Sequence, residues 1–476
     1  MMQSELAFAP AWELAKMIQR REVSPVELVD HLLERISHLN PELNAYITVC
    51  EDAARAAARE AEGRVMKRED LPPLHGIPIS IKDLLFTKGI RTTGGSLIHK
   101  DFIPNEDAVA VERLRNAGAI ILGKTNTPEL GQSSTTENRL GEDCRNPWNV
   151  ERTCGGSSGG AAAAVATGLG PLALGSDAGG SIRVPAAFCG VYGLKPSHGR
   201  VPLYGGFGNM PLFATIGPIS RTVRDAALML SVISGHDTRD PCSLREESPD
   251  FLAALEGEIG ELSIAWSPDL GFAKVDSEVR AIALAGATLF ESFGCKLEEA
   301  SPDIEEPFPI FAPIVLADEY AVSGQLLEGD VDKLVPYVKS TLVAGKQVTG
   351  SEYSQALRAL ERFKLKMALF FDRFDLLVTP STAVVAFPLR QRPREIDGKP
   401  VGTLWGPFPF TVAFNLSGQP AASVPCGFSS DGLPVGLQIV ARPGEEVTLL
   451  RASAAFEEAR PWHDKIPPSA QIHAAA

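Results

Sequence analysis

The sequence predicts an α/β protein. Three observations carry that expectation: short apolar, β-branched runs alternate with stretches of helical spacing, two serines sit in glycine beds around a small-residue connector, and hydrophobic residues make up 44% of the chain. At 476 residues the chain is long enough for two or three domains, though a large α/β enzyme of this size often folds as one.

The N-terminal part reads as helical. Residues 10–20 have helical spacing, and Ser24-Pro25-Val26-Glu27 is a helix start, with serine as N-cap, proline at the first position and glutamate completing a capping box. Val29, Leu32, Leu33, Ile36 and Leu39 then form one apolar face, which Asn40-Pro41 is expected to stop. Residues 51–67 are rich in alanine and charge and read as a surface helix. From residue 71 strands at 77–81 and 119–122 flank a helix at 108–117, the alternation of a mostly parallel sheet. Residues 169–174 read as a short buried strand. Helices follow at 221–234, 277–293 and 351–371, and short strands at 376–378 and 422–424. No internal repeat is visible, and the polar, proline-bearing stretches 238–249 and 391–400 read as loops.

The chemistry concentrates between Gly155 and Arg183. Gly-Gly-Ser-Ser-Gly-Gly is too flexible for a helix interior, whereas Ala161 to Ala164 favour helix, so Ser157 and Ser158 belong to a loop entering a helix N-terminus. The second bed, Asp177-Ala178-Gly179-Gly180-Ser181, can turn successive N–H groups towards one point, as an oxyanion hole requires. Ser181 is placed to attack there, but a serine needs a base. Lys82 ends the segment Gly76-Ile77-Pro78-Ile79-Ser80-Ile81, and a lysine buried in such surroundings loses its proton more readily.

These segments resemble the amidase signature family. Lys82, Ser157 and Ser181, the GGSSGG run and the DAGGSIRVPAAFCGVYGLKPS stretch match that family's pattern, and the similarity extends over nearly the whole chain. The resemblance implies Ser181 as nucleophile, Ser157 as a bridging serine on a cis peptide after Gly156, and Lys82 as base. It implies an oxyanion hole from the N–H groups of Ala178, Gly179, Gly180 and Ser181, with Ser176 a supporting hydroxyl. Ser158, Asp177 and Arg183 are expected to brace the loop. Gln132 and Ser133, Trp405 and Phe408, resemble pocket-lining regions of relatives, and Tyr204, Phe207, Met210 and Phe213 are a second candidate wall. The implied fold is a single large α/β/α domain over residues 1–476, with a mixed twisted sheet covered by helices on both faces. Residues 1–70 supply N-terminal helices, 71–235 the catalytic core, and 236–476 the rest of the sheet and pocket.

The expected activity is hydrolysis of small neutral aryl or alkyl amides, with esters and carbamates as further carbonyl substrates. Two other readings compete: the glutaminase subunit of a tRNA-dependent amidotransferase, which belongs to the same family, and a catalytically silent scaffold. Relatives of the glutaminase kind carry an acidic residue just before a T-x-x-x-N-L-x-G segment. Here Phe408 stands there, ahead of Thr411 and Asn415-Leu416-Ser417-Gly418, and cannot pair with an ammonium. Gly118 to Thr125 matches the GxxxxGK[ST] phosphate loop, but its interior is an apolar strand. Gly155 to Gly159 matches a GxSxG elbow, which needs a histidine such as His198, His236, His463 or His473, none in a catalytic-looking setting.

Composition sets the outer bounds. A net charge of −14 argues against nucleic-acid and anionic-membrane partners, which basic patches bind. Seven scattered cysteines without a CxxC pair fit reduced thiols, and the histidines lack metal-ligand spacing. No signal-like opening or bilayer-length apolar run is present, so a cytoplasmic enzyme without cofactor or metal is expected. Its partner would be the small amide substrate, and the N-terminal helices are candidate contacts of a homodimer.

Overall fold

The computed structural model describes residues 3–208 and 210–471. After a short helix at Gln3–Phe8, helices α1 (Ala11–Gln19), α2 (Pro25–Leu43) and α3 (Glu51–Met66) bury one stripe each, including Leu14 and Ile18 of α1 and Leu28, Leu32 and Ile36 of α2. Their apolar faces are therefore spent inside the chain. Ser24 caps α2 by accepting from Val26 N and Glu27 N, but the expected capping box is half made: no bond returns from Ser24 N to the Glu27 carboxylate, and the Ser24 hydroxyl donates to Glu62 of α3. Pro41 does not stop α2 either. It forfeits one N–H in the final turn, and the end is set by Asn44 in the left-handed region (φ 51°), while the Asn40 side chain holds Tyr46 N at 2.8 Å.

Eleven strands form the main sheet: β1 (Tyr46–Val49), β2 (Pro78–Lys82), β3 (Ile120–Thr125), β4 (Leu172–Asp177), β5 (Tyr192–Lys195), β6 (Thr215–Ser220), β7 (Ser263–Trp266), β8 (Lys296–Glu299), β9 (Leu376–Pro380), β10 (Ala421–Phe428) and β11 (Pro434–Ala441). Their spatial order is β1-β3-β2-β4-β6-β5-β10-β11-β9-β7-β8. The sheet is mixed, as the family resemblance implies, and the parallel pairing read from the alternation at 77–122 holds for that part of it. Parallel pairing holds for β2 with β3 and β4 and for β7 with β8 and β9, whereas the other neighbours run antiparallel. The reason is connectivity: β2 and β3 are joined through helix α4 (Val109–Asn116), while β10 returns directly into β11 as a hairpin.

Helices flank the sheet. The wholly buried α5 (Gly159–Ala166) lies on β2, β3 and β4, α6 (Arg183–Cys189) lies on β10 and β11, and α7 (Val223–Ile233) lies on β5 and β6. A side chain at Gly159 would run into Thr136 and Cys154, so this close approach of α5 requires glycine. Beyond them come α8 (Ser277–Thr288), α9 (Phe308–Ser323), α10 (Pro336–Gly345), α11 (Gly350–Phe371) and α12 (Glu446–Ala459). A second apolar cluster, containing Phe311, Ile314, Phe363, Met367, Phe410 and Phe414, fastens α9 and α11 beside the sheet. It thereby holds α9 over the carboxyl end of β4.

Candidate active site

Parallel pairing of β2 with β4, through Ile79 with Leu172 and Ile81 with Leu174, brings Lys82 and Ser176 to the same end of the sheet. Lys82 is fully buried, and its Nζ lies 2.7 Å from Ser157 Oγ, 3.1 Å from Ser176 Oγ and 3.3 Å from Ser176 O. Burial lowers its pKa to about 7 against the opposing charge of Asp177, so an appreciable fraction is a neutral amine at neutral pH. The Gly156–Ser157 peptide is cis, and Ser158 N donates to Ser181 O at 3.0 Å, which ties the two glycine beds together. Ser158 Oγ donates to Ser176 O and so braces the strand end.

The turn after β4 is built on Asp177. Its carboxylate accepts from Gly180 N (2.7 Å), Ile182 N (3.1 Å), Arg183 Nη2 (2.9 Å) and Asn415 Nδ2 (2.9 Å). Arg183, also fully buried, reaches Asn415 Oδ1, Gln438 Oε1 and Thr411 O. Burial alone would raise the Asp177 pKa, but the Arg183 guanidinium overrides it and holds the carboxylate well below its usual range. One expectation is corrected here: the Gly180 N–H is committed to Asp177. Among the described residues, the N–H groups of Ala178, Gly179 and Ser181 carry no acceptor, which leaves these three as the free donors of the turn.

Ser181 opens onto a cavity of about 150 Å³. One wall is Gly131 to Ser134, the floor is Ala178, Gly179 and Ser181, and α9 supplies Phe308, Phe311, Ala312, Val315 and Leu316. Met210, Thr341, Leu404 and Trp405 close the rest, and among the described residues no charged side chain belongs to this lining. A deprotonable lysine, a serine bridge, an accessible serine hydroxyl and free N–H donors can together perform nucleophilic attack on a carbonyl.

The family model for Amidase matches residues 27–450 of the chain. The chain belongs to the amidase signature family. This amidase is 39% identical to an acylamidase of Rhodococcus erythropolis, over 98% of each chain. It is also 39% identical to a glutamyl-tRNA(Gln) amidotransferase subunit from Moorella thermoacetica, over 97% of this chain and 99% of that protein. Among solved structures it resembles a bacterial aryl acylamidase of the same family, with a TM-score of 0.92, 32% identity and coverage of 98% and 99%.

Not every residue singled out from sequence reaches the amidase's cavity. Gln132, Ser133, Met210 and Trp405 line it. Phe408 does not: it is fully buried against Phe188 and Phe387, in a small apolar cluster with Val184 and Ala386. Phe213 packs on Phe311 behind the wall. Phe207 stacks on His99 and meets Phe86 and Phe102, and the Tyr204 hydroxyl donates to Glu106, so that candidate wall contributes only Met210. Lys124 of the phosphate-loop match is buried on Thr87, Thr92 and Leu85 O, and no loop opens there. His198 bonds Pro211 O and His236 bonds Ser243, and neither they nor His463 bond Ser157. His473 lies outside the described residues, so among the described residues the elbow reading finds no histidine partner for Ser157, whose hydroxyl meets Lys82. Among the described residues no cluster suited to a metal ion occurs, and no helix is long and apolar enough to cross a membrane.

Sequence reasoning missed the α9 wall and the Asn415 and Gln438 contacts to Arg183. The apolar run from Phe308 to Leu316 was a signal for the wall, masked by Pro309 and Pro313, which discourage a helical reading. Pro309 falls in the first turn, where no N–H partner is lost, so the helix forms and its apolar side faces the cavity.

Proposed function

We propose that this amidase hydrolyses small neutral aryl or alkyl amides through an acyl-enzyme on Ser181, and that esters and carbamates enter the same route. The observation that carries the reading is the 2.7 Å contact between buried Lys82 Nζ and Ser157 Oγ beside the cavity into which Ser181 opens. Neutral Lys82 takes a proton from Ser157 as Ser157 takes one from Ser181, whose Oγ attacks the substrate carbonyl. The oxyanion rests on the N–H groups of Ala178, Gly179 and Ser181, each donor contributing about 3 to 4 kcal/mol in comparable sites. The proton returns through Ser157 to the departing amine, and water then cleaves the acyl ester by the same relay. Asp177 and Arg183 hold the turn in shape and take no proton.

The uncharged lining favours a neutral substrate over free glutamine, whose ammonium and carboxylate would find no charged partner there. Seven free cysteines support a cytoplasmic, reducing setting. The test is parallel turnover of acetanilide, a phenyl carbamate and glutamine by wild type and Ser181→Ala. Hydrolysis of the neutral substrates alone, abolished in the variant, is the expected result. Glutamine turnover at comparable kcat/KM would replace this reading with the amidotransferase one, and full activity of Ser181→Ala would remove Ser181 as nucleophile.

A further inference from the structure

One polar feature of the cavity wall takes no part in the Lys82 relay. Gln132 lines the cavity, and its Nε2 donates to Glu319 Oε2, a carboxylate oxygen on the last turns of α9. Glu319 is only 4% exposed. The remaining acceptor atom of each side chain, Gln132 Oε1 and Glu319 Oε1, is buried and has no hydrogen-bond partner among the described residues. Native proteins rarely leave such atoms unpaired, because desolvating an acceptor without a donor is costly.

The chemistry of the pair fixes which end of the amide is free. An ionised carboxylate only accepts, so Glu319 selects the Gln132 orientation that turns the NH₂ towards α9 and leaves Oε1 as the unsatisfied end. Burial pushes the Glu319 carboxyl up to about 7, with the Gln132 hydrogen bond opposing the rise and Asp318 adding to it, so the ionised form that holds this orientation is the one populated above about 7, where the assays below are run. An added donor at this pair offsets a desolvation that the protein alone leaves uncompensated. The α9 wall from Phe308 to Leu316 and Met210 offer no acceptor, and the Trp405 indole N–H only donates, which leaves, besides Ser181 itself, the hydroxyls of Ser133, Ser134 and Thr341 as the other acceptors of the lining.

We infer that Gln132, held in orientation by Glu319, accepts a hydrogen bond from the substrate, so that the favoured amides carry a hydroxyl or second N–H in the part that enters the cavity. This rests on the hydrolase reading above and names its substrate class more closely. Gln132 is the specificity-determining group and Glu319 a positioning residue acting through it.

Matched anilides test the pairing. On the acyl side, glycolanilide is compared with propionanilide, and on the amine side 4′-hydroxyacetanilide with 4′-methylacetanilide, reading KM and kcat separately for wild type, Gln132→Leu and Glu319→Gln. Wild type should show a KM about threefold to tenfold lower for the donor-bearing member of one pair, the range one neutral hydrogen bond supplies. That ratio should fall close to one in both variants, because Gln132→Leu removes the acceptor and Glu319→Gln no longer dictates the amide's orientation. Glu319→Gln is near-isosteric and carries the test alone if Gln132→Leu does not fold. Equal KM values within both wild-type pairs would overturn the inference while leaving the hydrolase reading intact. A preference that persists in both variants would remove these two residues as its cause. Failure of wild type to hydrolyse any of the four anilides would instead sink the hydrolase reading and the inference with it.

Discussion

Lys82 takes its chemistry from where it is held. An exposed lysine at pH 7 is a cation with nothing to accept, whereas full burial at the end of β2 lowers this one to about 7 and Ser157 stands 2.7 Å from it. Because the depressed group is a cationic acid, the base form accumulates as pH rises through about 7 and vanishes below it. The expected kcat/KM on a neutral amide therefore falls as pH drops through about 7, and Lys82→Met loses both that limb and most of the rate. A wild-type profile flat down to pH 5 would exclude Lys82 as the base. Lys82, Ser157 and Ser181 were all legible from their residue types in the family's register. The surroundings of Lys82, including its contact with Ser176, depend on which strand lies beside β2.

At the scale of the element, the turn between β4 and α6 does most to shape the site. Gly180 has φ of +125°, a region L side chains rarely occupy, and a Cβ there would meet Thr411 Oγ1. Gly180→Ala should therefore displace the neighbouring N–H donors and Ser181, lowering kcat by about 100-fold or more while leaving the global fold in place. Activity assays beside circular dichroism check this, and a variant with wild-type kcat would show the turn to be more tolerant than its geometry implies. The glycine bed was readable as a turn, yet the assignment of its donors was not. Asp177 captures Gly180 N, a choice made by the Arg183 and Asn415 contacts that fix the carboxylate from residues far apart in the chain. Element limits slipped for a more local reason: α2 passes through Pro41 because the Asn40 side chain on Tyr46 and the left-handed Asn44 finish it, and α9 forms despite two prolines.

For the molecule as a whole, a buried carboxylate of the body helps to fasten the N-terminal layer, beside the apolar faces of its helices and the Arg35 contacts to Thr167 O and Gly168 O. Asp225 of α7 accepts from Ala11 N and Trp12 N at 2.9 Å each, satisfying the first N–H groups of α1 from another part of the chain. Asp225→Ala leaves both donors unpaired and should cost about 2 kcal/mol or more in stability, read as a lower midpoint in urea. An unchanged midpoint would mean that water or another acceptor serves α1 there. Such long-range assignments mark the limit of sequence reasoning for this protein. Residue type and local spacing determined the alternation of strand and helix, the glycine-bedded serines, the buried lysine and the family, because these follow from steric freedom, propensity and short-range pattern. Strand order, the partner of each strand, the α9 wall and the exclusion of Phe408 from the cavity were decided only by the tertiary structure. They depend on which distant surfaces bury one another, and a side chain's apolar character is equally served by a core or by a pocket.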